Sequence, residues 1–156
     1  MKIKFVTLLF SMIFVGSAVA SEVSYPEDYR NWKHVKSMVI MDSHPLANPF
    51  EGIHHIYAND KAVSGYKSGK FTDGSVLVFD LLKSSIESTD IQESNRKLIG
   101  VMVKDSNIYR KTGGWGFEGF LGDSKNNRIT KDNGVSCFNC HESEKTTDYV
   151  FSSYRK

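Results

Sequence analysis

The region from residue 26 to residue 41 carries the first regular pattern of apolar and polar positions. Pro26 precedes two acidic residues, an order typical of a helix N-terminus, where acidic side chains meet the positive end of the helix dipole. Apolar side chains then recur every three or four residues, at Tyr29, Trp32, Val35 and Val39. This spacing predicts a first helix that reaches about Met41 and carries His34 on its polar face.

The next segments alternate between turn-forming and apolar residues. Two prolines and an asparagine between residues 42 and 49 predict a loop, which contains His44. The apolar residues at 52–58 predict a strand. Asn59 or Asp60 is then expected to cap a short helix that ends at Gly69.

Three further strands are predicted between residues 75 and 120. A turn signal at residues 73–74 precedes the clearest β pattern, at residues 75–81. Residues 98–104 and the glycine-aromatic run at 113–120 are the other two predicted strands. Polar composition predicts irregular structure at residues 84–96, 121–135 and 143–154, the last with a short helix.

Strand alternation assigns side chains of the predicted strands to faces. One apolar face would consist of Leu77, Phe79 and Leu81 on one strand and Leu98, Gly100 and Met102 on the next. Ordinary core packing is the alternative role for Phe79. Together the patterns predict an α+β fold that is mainly an antiparallel β-sheet, with an N-terminal helix and short helices.

The N-terminus indicates a secretory signal peptide. Lys2 and Lys4 form a positive region, residues 5–15 an apolar stretch, and residues 18–20 a small-residue cleavage site. The alternative is a membrane anchor, but the apolar stretch is shorter than the about 20 residues that a bilayer span needs. We therefore expect residues 1–20 to be removed and residues 21–156 to form a single domain.

The charge balance of the mature chain argues against two classes of partner. The whole sequence has 20 Lys and Arg residues against 18 Asp and Glu residues. Signal cleavage would remove two lysines and no acidic residue, which leaves the two signs equal. We therefore expect no nucleic acid partner and, after cleavage, no membrane partner.

The most specific pattern in the chain is the pentapeptide Cys137-Phe138-Asn139-Cys140-His141. Its spacing lets one turn of backbone span neighbouring vinyl groups of a haem, and the histidine that follows is placed to bind the iron. The motif predicts one covalently bound haem c, held by Cys137 and Cys140, with His141 as the proximal iron ligand. The signal peptide agrees with this prediction, because bacteria attach c-type haem after export.

Other uses of the two cysteines fit the sequence less well. A thioredoxin-like pair follows an early strand of a βαβ unit, whereas this motif lies near the C-terminus. A zinc site needs a second Cys/His pair, and the chain contains only two cysteines. A simple disulfide between Cys137 and Cys140 stays open, but it gives no role to His141.

The order and spacing of several short blocks resemble the cytochrome P-460 / cytochrome c′-beta family, β-sheet haem proteins of the bacterial periplasm. These blocks lie at residues 29–32, 56–60, 69–76, 103–106, 113–115, 137–141 and 148–151. The resemblance implies a periplasmic protein that forms a homodimer and carries one haem at its C-terminal motif. Ordinary small cytochromes c differ, because they are helical and carry the haem motif near the start.

The family has two branches that differ on the distal side of the haem. In the cytochrome P-460 branch a lysine is cross-linked to the porphyrin, a distal glutamate relays protons, and hydroxylamine is oxidised. In the cytochrome c′-beta branch the lysine is missing, phenylalanine caps an open iron site, and diatomic gases bind. By the family pattern the lysine position is Phe79 here and the glutamate position is Gly100, so the chain resembles the second branch more closely.

Further candidates for the distal pocket are a histidine and a methionine. By resemblance His54 occupies the position of a distal arginine, and strand alternation points it away from His55. It would be a hydrogen-bond donor, a sixth ligand or a partly exposed histidine without a role. Met102 lies on the predicted distal face, and thioether ligation would make the protein an electron carrier. His44 could approach the haem edge from its loop.

Three functions follow from these residues. The first is a periplasmic haem protein whose open, Phe79-capped iron binds nitric oxide or carbon monoxide, most naturally in nitric oxide handling. The second is a haem enzyme that oxidises hydroxylamine or acts as a peroxidase, with His54 as its acid–base group. The third is an electron-transfer cytochrome with a redox partner protein.

Overall fold

The computed structural model describes residues 22–87 and 89–155. The predicted signal peptide, residues 1–20, lies outside the described residues and stays a prediction. The helices and strands, in chain order, are β1 (Lys33–Ile40), α1 (Ala47–Phe50), β2 (Gly52–Ala58), α2 (Asp60–Ser68), β3 (Val76–Ile86), β4 (Ile91–Lys104), β5 (Trp115–Leu121) and α3 (Val135–His141). Short 3₁₀ segments lie at Tyr29–Asn31, Arg110–Thr112 and Glu142–Thr147. Within the described ranges, no helix is both long and apolar enough to cross a bilayer.

The five strands form one antiparallel sheet in the order β1-β2-β3-β4-β5. Neighbouring strands in the sheet are also consecutive in the chain, so each strand pairs with the next one along the chain. The sheet and the few short helices around it confirm the predicted α+β class. The pentapeptide lies on α3, the last of these helices.

Several predicted elements are confirmed. β2 covers the predicted strand at residues 52–58, and α2 begins where the Asn59 side chain accepts a hydrogen bond from the backbone N–H of Ala62. α2 ends at Gly69, whose φ of +78° is a left-handed conformation that glycine adopts without steric penalty. The predicted strands at 75–81, 98–104 and 113–120 correspond to parts of β3, β4 and β5.

The predicted N-terminal helix is wrong. Tyr29–Asn31 form a single 3₁₀ turn, and Lys33–Ile40 form the edge strand β1, which pairs with β2. The helical spacing misled because Val35 and Val39 are β-branched and fit a strand at least as well, and pairing with β2 decides between the two structures. His34 therefore lies on a strand.

The predicted loop at residues 84–96 is also wrong over most of its length. β3 and β4 continue there as a two-stranded arm, with Ile86 opposite Ile91 near its tip. The register shifts on either side of Leu82, which breaks the alternation of the strand. Most side chains of the arm are exposed, so it lacks the apolar alternation from which a strand is recognised.

The sheet has two apolar faces, each with its own cluster of buried side chains. We call the side that packs against α2 and α3 the front face; its buried members are Val35, Ala58, Ala62, Phe71, Leu77, Trp115, Phe117 and Val150. The opposite side, the back face, packs against the N-terminal segment; its buried members are Val23, Tyr29, Val78, Ile99, Val101 and Phe120. Helices α2 and α3 thus occupy the same side of the sheet.

A buried ion pair lies on the back face. The Asp80 carboxylate is fully buried and accepts hydrogen bonds from Arg96 Nε at 2.6 Å and from the Tyr29 hydroxyl at 2.7 Å. Burial and the Asp80 carboxylate both raise the pKa of Tyr29, and the hydrogen bond to Asp80 raises the pKa of Arg96. These three side chains fasten the N-terminal segment to β3 and β4.

Replacing Arg96 with methionine should lower the free energy of unfolding by about 3 kcal/mol, because it leaves the Asp80 carboxylate buried without its cation. The matched control is Lys125→Met, since the ion pair of Lys125 with Glu27 is exposed to solvent and should contribute little to stability. Urea unfolding of both variants provides the comparison. Equal losses in the two variants would contradict a special role for the buried pair.

Candidate haem site

Helix α3 places the pentapeptide against the front face beside β5. The helix follows Gly134, where φ is +81° and an added Cβ would lie only 2.6 Å from the carbonyl oxygen of Phe117. Glycine at this position therefore permits the close approach of α3 to the sheet. Cys137 is half-buried and packs against the front-face cluster, whereas Cys140 is exposed, and both thiols are free. Burial raises the pKa of Cys137.

The His141 imidazole is fixed in position by one hydrogen bond and two aromatic rings. Its Nδ1–H donates to the carbonyl oxygen of Tyr149 at 2.7 Å. The ring lies between Phe117, at a centroid distance of 5.0 Å, and Phe151, at 4.9 Å. Burial lowers the pKa of His141, and the proton held on Nδ1 leaves the lone pair of Nε2 available to a metal.

The strand register brings Phe79 and Gly100 together on the front face. Phe79 lies opposite Ile56 on β2 and opposite Gly100 on β4, and Gly100 lies opposite Gly119 on β5. Three neighbouring strands therefore place Phe79, Gly100 and Gly119 side by side in one row across the sheet. The three atoms nearest to an added Cβ on Gly100 all belong to Phe79, and none is closer than 3.5 Å. A larger side chain at residue 100 would therefore project beside Phe79, and glycine keeps this part of the face flat and uncharged.

His54 lies on the front face next to Phe79, and His55 faces the other way. The His54 and Phe79 ring centroids are 4.6 Å apart, with an angle of 36° between the planes. His54 is 7% exposed, so the expectation of a partly exposed side chain is wrong, because the neighbouring rings cover it. Its Nδ1 has no hydrogen-bond partner among the described residues. Burial lowers the pKa of His54 to about 4, and His55 and Lys36 act in the same direction.

The other candidate side chains divide between the front face and the surface. Met102 lies opposite Phe117 and packs against the same front-face cluster as Cys137. Two other methionines that could in principle bind a haem iron, Met38 and Met41, are 42% and 47% exposed. The remaining histidines have polar partners: His34 with Ser37, His55 with Ser37 and Glu93, and His44 with the backbone N–H of Leu46.

Sequence reasoning missed several residues of this region. The Phe50 ring lies 5.8 Å from that of Phe79, and an added Cβ on Gly119 would lie 2.5 Å from Cγ1 of Ile129, which covers that glycine. Phe50 and Ile129 come from connecting segments, whose position over the sheet no local pattern reveals. Tyr149 lies in a block that resembles the family, which could have marked it, although not as a partner of His141.

The residues present suit a haem of the c type. Two free thiols three residues apart on one helix, a neutral histidine with Nε2 available, and an apolar sheet face are the groups that such a haem requires. Among the described residues, no group of three or more His, Cys, Asp or Glu side chains is placed to hold a bare metal ion. Cys137 and Cys140 would carry the haem, and His141 would bind its iron.

The fold and the C-terminal motif define a β-sheet protein of the cytochrome class. The family model described as Cytochrome P460 matches residues 26–152, and the chain belongs to this family. Membership confirms the family expected from the sequence and implies a haem cofactor, but it does not separate the two branches. A comparison with curated proteins found no match.

The low pKa of His54 predicts a specific dependence of stability on pH. An unfolded histidine titrates near 6.5, so between about pH 6.5 and pH 4 the unfolded chain binds a proton at residue 54 that the folded protein does not bind. The stability from this group is therefore present above pH 6.5 and is lost as the pH falls towards 4, by up to about 3 kcal/mol.

The variant His54→Leu isolates this effect. The difference in unfolding free energy between wild type and variant should favour wild type less as the pH falls from 7 to 4, because leucine does not titrate. Urea unfolding at both ends of this range measures it. Parallel pH profiles of the two proteins would mean that burial does not suppress the protonation of His54.

Proposed function

We propose that this protein is a periplasmic mono-haem c-type cytochrome that binds a neutral diatomic gas, nitric oxide or carbon monoxide, at an open iron site. The arrangement of Phe79 beside Gly100 supports the proposal most directly. At the two positions where the family's oxidising branch has a lysine and a glutamate, this chain places a phenyl ring and a glycine on one apolar face. Both groups that hydroxylamine oxidation would require are missing.

The side chains would divide the work as follows. Cys137 and Cys140 hold the haem on α3, and His141 provides the proximal ligand through Nε2. When bound, the haem would supply an iron atom that takes a gas molecule. The Phe79 ring would then shield the gas site, exclude water and disfavour a polar sixth ligand. The ring is held in place by contacts with His54 and Phe50.

The polarity of the distal residues favours some gases over others. Bound dioxygen gains most from a hydrogen-bond donor, because negative charge shifts onto its oxygen atoms, whereas nitric oxide and carbon monoxide need such a donor much less. A phenyl ring offers no such hydrogen bond, and His54 lies against that ring. We therefore expect the ferrous protein to bind nitric oxide and carbon monoxide and to form no stable dioxygen complex.

One observation favours a second candidate, a peroxidase-like activity. His54 is a buried, neutral histidine with a free Nδ1, next to Phe79, and histidine is the commonest general acid–base group. Against this role, the Phe79 ring lies against His54 at a centroid distance of 4.6 Å, and the low pKa of His54 makes it a weak base. The third candidate, electron transfer, would have His54 or Met102 as a sixth iron ligand, and the apolar Phe79 ring beside Gly100 disfavours such a ligand.

The proposal includes export and self-association. The signal peptide predicted at residues 1–20 supports a periplasmic location, where c-type haem is attached. Exposed apolar side chains on the edge strand β1, Met38 and Val39, support a homodimer.

Nitric oxide handling is the proposed use of the gas site, and a redox partner protein would keep the iron ferrous.

Shrinking Phe79 to alanine should quicken the association of carbon monoxide with the ferrous protein. Displacing a ring from its rotamer costs about 1.4 kcal/mol, so its removal should raise the association rate about tenfold. Stopped-flow mixing of the reduced protein with carbon monoxide measures the rate.

The matched control for this experiment is Tyr57→Ala. Tyr57 lies beside Ile56 on β2 but packs on the back face, so its loss should leave the rate unchanged. Identical association rates in wild type and Phe79→Ala would mean that Phe79 does not cover the iron. A wild-type protein that binds no carbon monoxide would overturn the gas-binding function itself.

A further inference from the structure

Asp148 and Tyr149 adopt left-handed backbone conformations in succession, with φ of +54° and +67°. Residues with a side chain rarely occupy this region, and a bulky aromatic residue there is a genuine outlier. Such a conformation persists only where the surrounding contacts determine it. The carbonyl oxygen of Tyr149 accepts the hydrogen bond from His141 Nδ1, so this unusual pair lies directly behind the proposed iron ligand.

Three donors from the sheet side hold Asp148. Lys104 Nζ donates to one carboxylate oxygen at 2.7 Å, and the backbone N–H of Phe71 donates to the other at 3.0 Å. The indole Nε1–H of Trp115 donates to the backbone carbonyl oxygen of Asp148 at 2.8 Å. Both ends of the residue are therefore fixed, and the peptide that leads to Tyr149 has little freedom to rotate.

Lys104 is an unusual residue to find at this place in the core. Its side chain is buried, donates a further hydrogen bond to the carbonyl oxygen of Gly113 at 3.0 Å, and lies 4.9 Å from the centroid of the Trp115 ring. Replacing a buried ion pair by apolar residues of similar volume is often neutral or stabilising. The pair of Lys104 with Asp148 is therefore poorly explained by stability alone and better explained by what it positions.

Tyr149 has further contacts besides its peptide bond to the fixed Asp148. Its backbone N–H donates to the carbonyl oxygen of Glu144 at 2.8 Å, and its ring packs 5.4 Å from that of Phe138. The ring also fills the space in front of Gly113, where an added Cβ would lie 2.3 Å from it. The Tyr149 carbonyl is thus aimed at His141 by contacts from the sheet and from the segment after α3.

We propose that Lys104, Trp115 and Asp148, which we call the proximal clamp, are positioning residues that set the strength of the bond between His141 and the haem iron. This inference rests on the proposed function in one respect, the assignment of His141 as the iron ligand. The clamp fixes the Tyr149 carbonyl, the carbonyl polarises the Nδ1–H of His141, and the polarised imidazole donates more electron density through Nε2. With the clamp intact, His141 would hold the haem iron more firmly than without it.

The test compares two lysine variants of the haem-loaded protein by resonance Raman spectroscopy of the ferrous, ligand-free state. Lys104→Met removes the charge that holds Asp148 and keeps most of the side-chain volume. Lys125→Met is the matched control, because Lys125 also pairs with a carboxylate, Glu27, and lies 5.4 Å from an aromatic ring, but at the opposite face. Thermal unfolding of both variants is measured in parallel.

The proposal predicts that the iron–histidine stretching band moves to lower frequency in Lys104→Met and stays at its wild-type position in Lys125→Met. An unshifted band in Lys104→Met, with or without a lower melting temperature, would overturn it, since a purely structural ion pair affects stability and not this bond. Should Lys104→Met fail to fold, Trp115→Phe removes the hydrogen bond to the Asp148 carbonyl together with part of a buried ring, and keeps the pair of Lys104 with Asp148. The same downshift is expected.

A further variant separates failure of this inference from failure of the proposed function. The wild-type band must disappear in His141→Ala, because the band reports the bond between the iron and this histidine. A band that survives in His141→Ala shows that another residue binds the iron, and both the ligand assignment and the clamp are then wrong. A band that disappears there but does not move in the clamp variants contradicts the clamp alone.

Discussion

Each side chain on a β-strand reaches only one face of the sheet. The separation of the candidate haem site on the front face from the buried ion pair on the back face depends on that constraint. On β3, Asp80 points to the back face and forms the buried ion pair with Arg96, while its neighbour Phe79 points to the front face. A fully buried carboxylate therefore lies one residue away from an apolar ring. A slip of the register by a single residue would carry Asp80 onto the front face and destroy the site.

Two regions of the front face differ in character: the region near α3 and the region around Phe79. Near α3, hydrogen bonds and rings fix His141, with its Nδ1 proton committed to the Tyr149 carbonyl. The region around Phe79 consists of this ring, two glycines and a histidine whose burial keeps it neutral. An oriented ligand on one side and an uncharged, covered surface on the other suit a gas-binding haem better than proton-coupled oxidation. The family match implies a haem cofactor, and the proposed specificity for a gas is inferred from these residues.

Local patterns predicted the parts of the structure that local chemistry determines. The caps of α2 could be predicted because a cap depends on residues a few positions apart. The alternation that groups Phe79 with Gly100 could be predicted because it depends only on each strand's own sequence. β1 and the arm of β3 and β4 were missed, since pairing with a neighbouring strand decides their structure. The carbonyl partner of His141 and the ring contact of Phe50 with Phe79 depend on where connecting segments lie in the folded protein, and no sequence periodicity encodes that.

A crystal structure of the purified, haem-loaded protein tests the central claim most directly. The account predicts thioether bonds from Cys137 and Cys140, iron bound by Nε2 of His141, and the Phe79 ring over the opposite side of the iron with no protein ligand there. Iron bound by His54 or Met102 on that side, or a haem placed away from the front face, would contradict it.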